Sequence, residues 1–158
     1  MKSSANRTIL AAATLSAVLS LPGAVTAQTQ PGWFGTWTLN LGRSTYSPGP
    51  PPFKRATRTV APSGDDITIV DEMVRNRGGI THLEWTGTFD GKDYPVQGVE
   101  LVLTNAYRRI DDRAYELIQK IDGEVVATSR LTMSPDGKTI TTVNSSRTAS
   151  ATTVYDRQ

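Results

Sequence analysis

From Lys54 to its end this chain never goes far before a turn signal stops it. Pro62-Ser63-Gly64-Asp65, Asn76-Arg77-Gly78-Gly79, Asp90-Gly91, Ile110-Asp111-Asp112, Asp122-Gly123 and Pro135-Asp136-Gly137 punctuate it. Asp-Gly and Gly-Gly pairs favour the positive φ angles that tight hairpins require. Between the signals lie runs rich in Val, Ile, Thr, Tyr and Trp, at 54–61, 67–75, 81–89, 99–108, 113–121, 124–133 and 138–144. Runs at 35–41 and 151–157 complete the set. No stretch after residue 27 sustains apolar residues at helical spacing, so the pattern predicts an all-β fold. Short links favour an antiparallel up-and-down meander, closed into a barrel of about 8–10 strands, with a β-sandwich as the alternative.

The period of two assigns faces to the strands. Leu83, Trp85, Gly87 and Phe89 share one face of 81–89, while His82, Glu84, Thr86 and Thr88 share the other. Val99, Leu101, Leu103 and Tyr107 form a similar apolar face, as do Tyr115, Leu117 and Ile121. Val125, Ala127, Leu131 and Met133 make another. One apolar face per strand suits a barrel whose interior is either filled or wrapped around a ligand. The exception to short links is 42–53, which contains a Pro-rich loop over 47–53. That run should be stiff, extended and non-helical. It reads either as a rigid crossing between the first two strands or as a docking peptide or flap over the barrel mouth.

The N-terminus sets the expected compartment. Lys2 and Arg7 precede a short apolar run from Ile9 to Leu21, broken by Pro22-Gly23 and ended by Val25-Thr26-Ala27. This predicts a secretory signal over 1–27, cleaved after Ala27, and one domain over 28–158 that is periplasmic or secreted. The apolar run is too short to span a bilayer, so no stable membrane insertion is expected after cleavage. Loss of Lys2 and Arg7 takes the formal net charge from +2 to zero. A neutral chain does not suit nucleic-acid binding, where phosphate neutralisation dominates affinity. There is no cysteine, so stability must come from packing.

The entry to the first strand, Phe34-Gly35-Thr36-Trp37-Thr38-Leu39, resembles the opening strand of the calycins, the lipocalin and fatty-acid-binding protein group. Thr153-Val154-Tyr155-Asp156-Arg157 is similar to the last strand of the fatty-acid-binding proteins. The mature chain also resembles a group of exported bacterial proteins that share the Gly-Thr-Trp start, the Pro-rich segment, an Asp-Gly-Lys-Asp-Tyr-Pro turn and a Tyr-containing last strand. The lipocalin resemblance implies structural roles for Gly35, Trp37 and Arg157, with Trp37 at the barrel base under Arg157. The fatty-acid-binding proteins carry an Arg two residues before the last-strand Tyr, where it binds the ligand carboxylate. Here that place is Thr153, so the resemblance implies no clamp of that type.

Catalytic chemistry finds few residues. His82 is the only histidine, and with no cysteine the chain lacks the usual nitrogen and sulfur ligands for zinc. Asp65-Asp66 and Asp111-Asp112 fall at turns, where Asp commonly bonds its own backbone. Asp71 shares a strand face with Ile67, Ile69 and Met73. An interior Asp71 would need a partner such as Arg130 or Arg108; otherwise it is a rim residue near solvent. The reading is therefore a monomeric, non-catalytic binder of a small apolar or amphipathic molecule, with no cofactor or metal. Trp85, Phe89, Leu101, Leu103, Tyr107 and Tyr115 are its candidate lining, with Asp71 and Arg130 as polar anchors. A solid barrel serving as an envelope interaction module is the alternative.

Overall fold

Hairpin chemistry carries directly into the topology. The computed structural model describes residues 31–158, and the expected signal at 1–27 lies outside the described residues. Eleven strands follow in order: β1 (Gly35–Leu39), β2 (Thr45–Ser47), β3 (Phe53–Ser63), β4 (Asp66–Arg75), β5 (Ile80–Gly87), β6 (Tyr94–Gln97), β7 (Leu103–Asp111), β8 (Ala114–Ile121), β9 (Glu124–Met133), β10 (Thr139–Ser146) and β11 (Ser150–Arg157). Strands β3 to β11 pair antiparallel with their sequence neighbours. β1 then closes the ring by pairing with both β3 and β11. The result is a closed ten-strand antiparallel barrel of the lipocalin and fatty-acid-binding type, plus one extra strand. That strand, β2, pairs with the start of β11 at Thr45, Tyr46 and Ser47.

Two strands escape the sequence pattern, and both are short. β6 contains Pro95, which cannot donate to a ladder, and it pairs with β5 and β7 through only two residue pairs on each side. β2 lies just ahead of the Pro-rich run. The predicted strand 99–108 begins later than its composition suggests. Gly98 turns the chain at φ +92°, and Val99, Leu101 and Val102 form an exposed loop before β7. Val125 also departs from its expected inward face. The β8–β9 register slips between Gln119 and Lys120, so one extra residue on β9 rotates Val125 to the outside.

The lower end of the barrel is solid. Trp33 sits edge-on to Tyr115 at 4.7 Å, Phe89 stacks on Tyr107 at 4.9 Å, and Trp85 meets Tyr107 at 4.7 Å. Trp37 is completely buried, and its indole N–H donates to the Trp33 carbonyl at 3.2 Å. The guanidinium of Arg157 lies 4.2 Å from the Trp37 ring centre, a cation–π contact. It donates to the carbonyls of Phe34 and Gly137 at 2.8 Å each, and to that of Gly32. One side chain thus ties the entry to β1, the β9–β10 turn and the last strand into a plug. Gly35 makes room for it: φ is +134°, and a Cβ there would stand 2.9 Å from Arg157 Nη1.

Loss of this plug should be measurable by urea denaturation. Arg157→Ala is expected to lower unfolding free energy by about 2–4 kcal/mol, since it strands carbonyl acceptors and uncovers Trp37. Gly35→Ala should cost about 1–3 kcal/mol through backbone strain and the Arg157 contact. Wild-type midpoints in either variant would contradict the assignment.

Candidate ligand-binding cavity

Above the aromatic plug the inward-facing side chains no longer meet. Among the described residues, the gap between Trp33, Phe89, Tyr107 and Tyr115 in the lower barrel is about 10 Å³. The upper half holds a cavity of about 450 Å³ that is open at its mouth. That volume is within the usual range for small-molecule sites, roughly 300–1,000 Å³. Ile69 and Met73 of β4, Leu83 and Trp85 of β5, Leu103 of β7 and Leu117 of β8 give it apolar walls. The Pro-rich segment crosses its mouth, contributing Pro48, Pro50, Pro52 and Phe53. The strap is tethered to the β4–β5 turn, where the Asn76 backbone N–H donates to Pro52 O at 3.2 Å and its side-chain amide to Pro51 O.

Register puts a charged pair on the cavity wall. Trp37 lies opposite Arg58, Arg58 opposite Asp71, and Asp71 opposite Leu83, one row across β1, β3, β4 and β5. Arg58 grips Asp71 through two hydrogen bonds, Nε to Oδ1 at 2.7 Å and Nη2 to Oδ2 at 2.8 Å. Their side chains are only 16% and 19% exposed. Burial alone would pull the guanidinium toward neutrality; Asp71 overrides it by charge and hydrogen bonding, so the Arg58 pKa lies well above the ordinary arginine value. Arg58 also approaches the Tyr155 ring, 5.8 Å from its centre. Burial pushes the Tyr107 and Tyr155 phenols up to about 12, despite the opposing pull of Arg58.

The remaining polar lining is uncharged. Gln119 donates to Asn105 Oδ1 at 3.3 Å, and the Asn105 carbonyl accepts from Trp85 Nε1 at 3.1 Å. Asn144 donates to Ser129 Oγ at 2.8 Å. The Thr142 hydroxyl is buried with no hydrogen-bond partner among the described residues.

Of the residues singled out in the sequence, Trp85, Leu103, Tyr107 and Asp71 line this cavity. Phe89 and Tyr115 lie below it, in the packed aromatic core. Leu101 is 56% exposed in the β6–β7 loop. Arg130 is exposed on β9, whose outward face alternates with the inward Ser129 and Leu131, so it cannot reach Asp71. Arg108 pairs instead with Glu116 on the surface at 2.6 Å. The partner of Asp71 is therefore Arg58, a residue the sequence reading did not single out. Its signal was present in the alternation Ala56, Arg58, Val60, which places an arginine on a buried face. His82 lies outside the cavity, half exposed, with Nδ1 3.6 Å from a Glu72 carboxylate oxygen. Among the described residues no group of three or more His, Cys, Asp or Glu side chains is placed to hold a metal ion.

Two solved structures are similar in fold. A point mutant of the fluorescent protein UnaG is 15% identical with a TM-score of 0.56, covering 80% of this chain and 96% of its own. A fatty acid transporter designated REP1-NXSQ is 13% identical with a TM-score of 0.55, covering 79% and 95% respectively. At these identities the likeness is one of architecture, and both are calycin-type barrels. No protein-family model matches the sequence. No curated protein matches it either.

Two measurements probe this electrostatic arrangement. Arg58→Met should destabilise the fold by about 2–4 kcal/mol, since it leaves Asp71 charged and unpaired in a largely buried site. Adding Asp71→Leu should recover most of that loss, and two independent, additive losses would refute the pairing. In alkaline titration, Tyr107 and Tyr155 should hold their protons in the fold while an unfolded chain releases them near pH 10. The fold binds protons more tightly over that interval, so stability should fall between about pH 10 and pH 12. Phenolate absorbance should show Tyr107 and Tyr155 giving up their protons late, near pH 12 or on unfolding if that comes first.

Proposed function

We propose that this protein is a non-catalytic carrier or scavenger that encloses one small amphipathic molecule in the upper barrel. The observation that carries the reading is the contrast between a packed base and a 450 Å³ space beneath the proline strap. Apolar walls would supply affinity through burial, and the polar groups would orient the ligand. One similar solved barrel is a fatty acid transporter, which agrees with such a role. The protein acts as a monomer outside the cytoplasm, with residues 1–27 as its export signal, a reading supported by Lys2 and Arg7 ahead of a short apolar run. A filled barrel working only as an interaction module fits the lower half of the molecule but not the upper.

Titration with the neutral solvatochromic dye Nile red tests the cavity. Saturable fluorescence enhancement is expected, weakened at least about tenfold by Leu83→Trp, which fills the space while adding apolar volume. Enhancement that does not saturate, or that ignores Leu83→Trp in a folded variant, would contradict binding at this site. Export is tested by the mass of protein recovered outside the cytoplasm. That mass should begin at Gln28, and an intact N-terminus would contradict cleavage.

A further inference from the structure

The head group of the ligand can be argued from the charges that line the cavity. Among the described residues the cavity wall carries two charged side chains, Arg58 and Asp71, and each is the other's partner. Both Asp71 oxygens accept from the Nε and Nη2 edge of the guanidinium, so the charge of Arg58 is already balanced and its Nη1 N–H groups remain as donors for an uncharged acceptor. We propose that the cavity takes an uncharged amphipathic molecule, an apolar body with a hydroxyl, carbonyl or amide head, and rejects fatty carboxylates and alkylammonium ions. This inference rests on the cavity-binding reading above and specifies its ligand class.

An entering carboxylate would have to share Arg58 with Asp71, leaving two anions and one cation against a largely buried wall. An entering ammonium would bring a second cation beside Arg58. Either way a partly desolvated wall would hold an uncompensated charge, which is costly unless the charge is paired. Neighbouring phenols do not alter the balance, because Tyr107 and Tyr155 stay protonated far into the alkaline range. What the wall offers instead is neutral. The amides of Asn105, Gln119 and Asn144 are both donors and acceptors, suited to a hydroxyl or carbonyl. The buried Thr142 hydroxyl, with no protein partner among the described residues, supplies one more group for a neutral head.

A matched series separates the possibilities: dodecanoate, dodecanamide, dodecanol and dodecylammonium, each displacing Nile red at about pH 8, where the acid and the amine are both charged. The amide and alcohol are expected to bind at least about tenfold tighter than either ion. Asp71→Asn should free Arg58 and raise dodecanoate affinity at least about tenfold, reversing the order. Arg58→Gln/Asp71→Asn removes both charges and should keep the wild-type ranking, which guards against misfolding of the single variant. Dodecanoate binding as tightly as the amide in the wild type would overturn the inference. So would Nile red binding that no member of the series displaces. If Nile red itself does not bind, the cavity-binding reading fails and this inference falls with it.

Discussion

A sheet of this kind is closed or open according to whether its two edges find a common strand, and here β1 is that strand. Its residues bond β3 on one side and β11 on the other, so the barrel has no free edge over that length. Trp37 sits at the centre of β1, opposite Arg157 and Arg58 at once. Arg157 covers the indole and gathers three carbonyls, two from the entry to β1 and one from the β9–β10 turn. Arg58 continues the row into the cavity, where it meets Asp71. The seal at the base and the polar wall of the cavity are therefore two consequences of one short strand.

Because β1 ends at Leu39, the ring changes character above it. The chain leaves through a 3-10 turn at Leu41–Arg43, and β2 extends only the β11 side of the seam. The proline strap then crosses the mouth to the start of β3. Large aromatic side chains pack against one another in the lower layers, whereas above them aliphatic, polar and a few aromatic side chains line the cavity without filling it. The cavity follows from that change in side-chain size, and the strap covers part of its mouth. A run of prolines suits the task, because fixed φ angles limit the states it can collapse into.

Much of the fold could be read because it is encoded locally. Asp-Gly and Gly-Gly turns set the hairpins, and alternation marked the inward sides of β4, β5 and β8. Even the key pair was within reach: the tight turn at Gly64-Asp65 sets Ser63 opposite Asp66, and that register brings Arg58 opposite Asp71. The partner of Asp71 thus lies on the adjacent strand and not on the distant ones that carry Arg108 and Arg130. Other features depended on tertiary context. The slip between Gln119 and Lys120 exposes Val125 without any Gly or Pro to announce it. Leu101 looks like strand interior until Gly98 turns the chain, and β6 is too short and too proline-bearing to show a period. Whether Phe89 and Tyr115 fill the base or line a pocket depends on their height in the barrel, which alternation does not report.

The central claim is that the space between a packed base and a proline strap is one that a ligand occupies. Native mass spectrometry of the protein isolated from its own compartment tests this most directly, with Leu83→Trp prepared in parallel. A reproducible added mass is expected on the wild type, one that organic extraction removes and the filled variant lacks. An adduct carried equally by Leu83→Trp would place the ligand elsewhere, and bare protein mass in both would contradict an occupied cavity.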